Sequence, residues 1–284
     1  VVIAGNDHGL RLYAATNGAP RANLTEATEK LISLQSMDGN ELRGLTADGR
    51  VLSWDLNLPW ELARTIGSAS ESIFSDRISA LDFSPDGSLL AVGSGPPSRF
   101  GDIKFIDMQS GAIARDLGEV HSDTVLSLRF SPDGRMLASG GADKLCRLWN
   151  VETGEALRSF EGHTHHVLGV AWQDSGQRLA TASADHSVKV WKVESGEQQR
   201  TIAGFSHEVT AIEFIGDTVQ LAAVAADGSA RILNTDDGKT LRGLAGAENA
   251  LYSLSVSADN QRASGGGQAG KVWTWIIADG KLVE

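Results

Sequence analysis

Three stretches of the chain align without gaps: HSDTVLSLRFSPDGRMLASGGADKLCRLWNVETGEAL from His121, HTHHVLGVAWQDSGQRLATASADHSVKVWKVESGEQQ from His163, and FSHEVTAIEFIGDTVQLAAVAADGSARILNTDDGKTL from Phe205. Their spacing is 42 residues, and Trp149, Trp191, Leu233 and Trp275 fall in one column. The column continues backwards through Ile106, Trp54 and Tyr13, giving seven units. Each unit has the same internal order. An alternating apolar run such as VLSLRF predicts a half-buried strand. A turn (SPDG, QDSG) leads to a second run (MLASGGA, RLATASA), and a tight turn around an Asp leads to a third (CRLWNV, VKVWKV). A last turn (ETGE, ESGE) opens a short fourth run. Four short strands in about 40 residues, joined by hairpin turns, are the pattern of a β-propeller blade. One blade cannot bury both of its faces alone, so the units must stack.

The expected fold is all-β: a seven-bladed propeller of four-stranded antiparallel blades, with the first blade incomplete. The blades fall at about residues 1–28, 29–74, 75–120, 121–162, 163–204, 205–246 and 247–284 of one domain. Residues 1–28 hold only the last three strands of a blade, and the final unit ends at GKLVE, where a fourth strand would begin. The chain also begins VVIAGNDHG, without methionine and inside a strand-like run. It is therefore expected to belong to a longer chain in which one terminus completes the other's blade, since an open ring exposes sheet edges.

At this point the chain resembles the WD-repeat propellers over nearly its whole length. The family's buried tetrad is a His before the first strand, a Ser or Thr in the second, an Asp in the following turn and a Trp in the third. Two units match it fully: His121, Ser139, Asp143 and Trp149, then His163, Thr181, Asp185 and Trp191. A neutral His between Asp and Ser/Thr, with a Trp N–H, would give every buried polar atom a partner. Elsewhere the pattern decays. The second unit keeps Asp48 and Trp54, the first keeps Asp7, the sixth keeps Asp227 and the seventh keeps Trp275. The third replaces its Asp turn with a longer loop, SGPPSRFGD, from Ser94 to Asp102. These units are expected to rest on apolar packing.

Composition narrows the function. With 36 Asp and Glu against 25 Lys and Arg the formal charge is −11, which argues against nucleic acid or an anionic lipid surface as the main partner. No apolar run reaches the length of a membrane span. One cysteine, Cys146, permits no intrachain disulfide; this fits a cytoplasmic, reducing compartment and leaves the periplasm open.

Candidate chemistry is thin. His163, His165 and His166 lie within four residues, but His163 takes the tetrad position and no cysteine or carboxylate joins the others at ligand spacing. Alternation along an extended segment would point His165 and His166 opposite ways. His165 matches His207 one unit later, so both are expected on the rim. SGGGQAGK (Ser264–Lys271) lacks the ending of a phosphate loop and precedes no helix. The recurring Asp residues mark turns, Cys146 reads as a small core residue, and Trp60 and Trp273 stand outside the repeat, with Trp60 a candidate partner anchor. No metal or cofactor is implied.

What the resemblance implies is a non-catalytic scaffold for a protein or peptide, bound across the face that carries the loops before the first strands and the Asp turns. The contact candidates are Arg77, Thr124, His166, Glu208 and Asn249 from those loops, together with Arg99 and Phe100 in the insertion Pro96–Phe100. An Arg beside an aromatic on an exposed loop is the kind of pair enriched at interface hot spots. The alternatives are a propeller serving structure or assembly in a larger, enzyme-containing chain, and a propeller enzyme with a site in the central channel. The second of these would need polar residues converging from the first strands, and those strands are mostly apolar or small.

Overall fold

The structure, a computed structural model, describes residues 2–4, 10–13, 20–24, 31–36, 41–46, 50–55, 65–66, 72–268 and 270–283; side-chain environments are described from residue 72 onward and at 42–44, 50–52 and 65–66. The described strands form seven antiparallel sheets that follow one another along the chain. Blade 1 holds Val2–Ala4, Leu10–Tyr13 and Pro20–Leu24, and blade 2 holds Leu31–Ser36, Glu41–Thr46 and Val51–Asp55. Blade 3 has four strands, Ile78–Phe83, Leu89–Ser94, Gly101–Asp107 and Ile113–His121. Blade 4 runs Val125–Phe130, Met136–Gly141, Cys146–Asn150 and Ala156–Phe160; blade 5 runs Val167–Trp172, Arg178–Ser183, Val188–Lys192 and Gln198–Ile202. Blade 6 runs Val209–Phe214, Gln220–Ala225, Ala230–Asn234 and Thr240–Leu244, and blade 7 holds Leu251–Val256, Arg262–Gly267 and Val272–Ile276. Past that last strand Trp275 makes an isolated antiparallel bridge to Leu282.

First strands of consecutive blades from blade 3 to blade 7 lie side by side, and the cores lie between blades. Between blades 4 and 5, for example, Cys146, Leu148 and Phe160 meet Val167, Val170, Trp172 and Leu179. The first strands do not alternate cleanly. In blade 4, Val125, Leu128 and Phe130 are buried, because a bulge between Val125 and Ser127 resets the alternation after the first residue. The same bulge recurs between Ile78 and Ala80, Val167 and Gly169, and Val209 and Ala211.

In every blade from 4 to 7 the loop before the first strand and the turn between second and third strands meet at one end. Ala142 N–H donates to Thr124 (2.9 Å), Ala184 to His166 (3.0 Å), Ala226 to Glu208 (2.9 Å) and Gln268 to Ala250 (2.9 Å). This shared end is the loop face. The pairing of chain ends expected to close a ring, and the side chains of Asp7, Tyr13, Asp48, Trp54 and Trp60, lie outside the described residues.

Candidate interaction face

In blade 4, His121 Nδ1 lies 2.9 Å from Asp143 and Nε2 lies 2.7 Å from Ser139 Oγ, while Trp149 Nε1 donates to the same Oγ at 2.8 Å. One tautomer satisfies all of them. Nδ1–H donates to Asp143, Nε2 accepts the Ser139 hydroxyl proton, and Ser139 Oγ accepts the indole N–H. Blade 5 repeats the set, with His163 2.7 Å from Asp185 and 2.7 Å from Thr181, and Trp191 2.9 Å from Thr181. Burial holds both histidines below their ordinary range, so both are neutral at pH 7. Burial also opposes the charge on Asp143. The hydrogen bonds from His121 and Arg147 outweigh it and hold that carboxyl well below the usual carboxylate range. The donors and acceptors of both tetrads are thus directed inward, so the networks brace the turns they belong to.

Blade 6 solves the same positions without a tetrad. Phe205, Ala223 and Leu233 are all buried, and Arg231 stands over the Phe205 ring at 4.4 Å. Its Asp227 remains, accepting from the Ser206 hydroxyl and from Ser229 N–H at 2.8 Å. Burial opposes its charge, yet these bonds lower its pKa to about 2.

Blade 3 solves them differently again. Val92 and Ile106 stand in the Ser and Trp columns, both buried, and the polar network has moved to the neck of the insertion. Ser94 Oγ donates to Asp102, and Lys104 Nζ lies 3.4 Å from Asp102 and 2.6 Å from Asp116. Burial works against the Lys104 charge, but these two carboxylates outweigh it and raise its pKa. Above the neck the loop is tied to blade 4. Asp123 Oδ1 accepts from Ser98 N–H (2.7 Å) and from Thr124 N–H (2.7 Å), and the Thr124 hydroxyl donates to the Gly95 carbonyl at 3.2 Å. Gly101 passes so close to the Asp123 carbonyl and to Val125 that no side chain would fit there. The insertion is therefore fixed, and it exposes Pro97, Ser98 and Arg99 with Phe100 half-buried beside them.

The other contact candidates divide. Arg77 and Asn249 are exposed on the loop face, and His166 and Glu208 are partly exposed. Thr124 is a correction: at 4% exposure it is buried, and its hydroxyl holds the insertion instead of meeting a partner. The opposed directions expected for His165 and His166 are also wrong. The segment is not a strand, and the two rings lie 4.4 Å apart. Next to them His186 lies near-parallel to His207, 6.4 Å away across the boundary of blades 5 and 6. Trp273, unexplained by the repeat, is buried and donates to the Gly246 carbonyl at 3.1 Å.

The first strands carry more charge than their apolar look suggests. Asp82 accepts Phe130 N–H at 2.6 Å and lies 3.4 Å from Arg129, and Glu213 accepts Val256 N–H at 3.0 Å. Each carboxylate ties its blade to the next. Burial raises the Glu213 pKa, with Arg129 pulling the other way.

A second set of ties was not anticipated. Arg115 in blade 3 donates to the Glu152 and Thr153 carbonyls of blade 4, Arg158 to Glu194 (2.9 Å) and Ser195 (3.0 Å) of blade 5, and Arg200 to the Asp236 carbonyl of blade 6. Arg158 explains a turn glycine, since a Cβ on Gly196 would meet its Cδ at 2.7 Å. The signal was present in the sequence as an arginine column at 115, 158 and 200, with Arg242 next.

Sheets stacked through their first strands, braced by two buried His–Ser/Thr–Asp–Trp networks, define a β-propeller. The family model described as "WD domain, G-beta repeat" matches residues 67–95, 116–150 and 154–192. The chain carries WD repeats over these three segments. Its fold is common, with 1815 solved chains similar to it. One is the crystal structure of the computationally designed Ika8 protein, at TM-score 0.74 and 25% identity over 100% of this chain and 82% of that one. No curated protein matches the sequence.

Proposed function

We propose that the protein is a non-catalytic interaction scaffold that presents its loop face to a protein or peptide, with the Pro96–Phe100 insertion as the principal contact. WD-repeat propellers commonly serve as such scaffolds. One observation carries the reading for this chain: the insertion departs from the repeat, is held by Asp123 and Thr124, and still leaves Arg99 exposed. A pre-ordered loop loses little conformational entropy on binding, so its contacts convert more fully into affinity. Side chains used only for packing would not need such an arrangement at the surface.

The test is affinity capture from source extract with the wild-type protein and with Arg99→Ala/Phe100→Ala, followed by mass spectrometry. The expected result is a stoichiometric partner that the double variant loses while its melting temperature stays unchanged. A partner retained by the double variant moves the contact elsewhere, and capture of nothing by the wild type removes the scaffold reading.

A further inference from the structure

At the end opposite the loop face, the same place on three consecutive blade boundaries is filled in two different ways. It lies between the first residue of a second strand and the turn after the third strand of the next blade. At the boundary of blades 5 and 6 those positions are Arg178, Thr235 and Asp236. Arg178 crosses the boundary, donating to Asp236 at 2.6 Å and to the Thr235 hydroxyl at 3.3 Å. The chain thus seats a cationic side chain of its own there.

At the two preceding boundaries the carboxylate is kept and the cation is gone. Met136 and Leu89 take the place of Arg178, Val193 and Val151 that of Thr235, and Glu194 and Glu152 that of Asp236. Met136 and Val193 pack on one core cluster, and Leu89 and Val151 on another. Shorter and uncharged, these side chains leave a groove of about 740 Å³ between blades 4 and 5 and one of about 380 Å³ between blades 3 and 4. Each has an apolar floor and an exposed glutamate at its lip. Leu157, 48% exposed, walls the larger one.

The other charges at these grooves are already engaged. Arg115 and Arg158 line the walls, but their guanidinium groups are turned onto the carbonyls of Glu152 and Thr153 and of Glu194 and Ser195. Arg200 does the same on the Asp236 carbonyl, and Arg178 is seated beside it. The resident arginine therefore does not bar a second cation. Arg135 leans on Asp133 of its own turn at 4.0 Å, and Lys192 lies 3.5 Å from Glu194 in an exposed pair; such pairs hold their partners weakly.

We infer that these two grooves bind lysine or arginine side chains of a basic peptide segment, one to each groove, as Arg178 is bound between blades 5 and 6. The aliphatic stem lies on Met136 and Val193, or on Leu89 and Val151, and the charged head meets Glu194 or Glu152 at the lip. This ligand is distinct from the one at the loop face, and neither reading needs the other.

The experiment is fluorescence anisotropy with a labelled peptide in which arginine alternates with serine. Binding is expected at low salt and weakens as salt rises. Met136→Arg/Val193→Thr copies the boundary of blades 5 and 6 into the larger groove; it is expected to keep its melting temperature and to lose about tenfold in affinity. Glu152→Gln/Glu194→Gln, at two exposed positions, is expected to lose about as much. Glu155→Gln/Glu197→Gln removes the same charge from the same turns at residues that do not line the grooves, and is expected to change affinity less than about twofold. Arg99→Ala/Phe100→Ala is expected to bind the peptide as the wild type does. Equal losses in the two glutamine variants would reduce the effect to general acidity and overturn the inference. So would no binding at low salt, full binding by Met136→Arg/Val193→Thr, loss of binding in Arg99→Ala/Phe100→Ala, or equal binding of a peptide with norleucine in place of arginine. A wild-type dimer in sedimentation that Met136→Arg/Val193→Thr dissociates, with no peptide bound, would assign the grooves to a second copy of the chain and refute the basic peptide.

Discussion

Blades 3 and 5 occupy equivalent positions in one repeat and treat the same turn in opposite ways. In blade 5 the turn carries Asp185, which accepts from His163, from Thr164 N–H and from the Ser187 hydroxyl; the turn is part of the framework. In blade 3 the His, Ser and Trp columns are lost, the buried polar network sits lower at Ser94, Asp102 and Lys104, and the turn has grown into an insertion. Once the bracing function moves out of a turn, that turn can change length and sequence without unpairing a buried group. The insertion is then held from outside, by Asp123 of the next blade.

The sharpest way to break this comparison is to remove the framework acid where it is used and where it is not. Asp185→Ala leaves the buried His163 and three further donors, Thr164 N–H and the Ser187 amide and hydroxyl, without their acceptor, and is expected to cost roughly 3 kcal/mol. Asp227→Ala in blade 6, where no histidine depends on it, should cost under about 1 kcal/mol. Urea unfolding of both proteins measures this, and equal losses would mean that the tetrad is ornamental.

Lys104→Met asks whether the relocated network matters in the same way. It leaves Asp102 buried without its cation and is expected to cost roughly 2 kcal/mol, read by the same unfolding curves.

The tetrads also set a pH dependence. The folded-state pKa values of His121 and His163 are depressed, so both states leave them neutral above about pH 6.5. As pH falls below that value the unfolded chain binds protons that the folded chain does not, and stability declines by up to about 1.4 kcal/mol per pH unit for each histidine. Asp143 and Asp185 have depressed pKa values and lose their contribution at still lower pH, as it falls below the ordinary aspartate range. Installing the blade 6 residues in blade 5, as His163→Phe/Thr181→Ala/Trp191→Leu, is expected to remove one of the two histidine slopes. An unchanged slope would place the titration elsewhere.

The smallest effects belong to the loop face. Asp123→Ala should cost under about 1 kcal/mol and yet speed hydrogen exchange at the Ser98 amide at least about tenfold. Lys144→Gly should gain about 0.5–1 kcal/mol by relieving left-handed backbone, measured as a rise in melting temperature.

Much of the fold was legible because a 42-residue period repeats the same strand and turn order, and the Trp column and paired His and Asp positions mark two tetrads outright. The first-strand bulges were hidden, since an apolar run such as VLSLRF is compatible with plain alternation, and the bulge depends on pairing with the next strand. The burial of Thr124 was hidden for a related reason. Its place before a strand suggested a rim, but the insertion of the neighbouring blade folds onto it. The rim arginines at 115, 158 and 200 were legible as a column, whereas their carbonyl acceptors lie in the following blade, some 36 to 38 residues on.

The most direct test of the account is hydrogen–deuterium exchange of the protein with and without its captured partner. The account predicts protection at residues 95–101 and 122–124, with the turns at 152–154 and 194–196 unchanged. Protection of those opposite turns, with the insertion left exchanging freely, would contradict it.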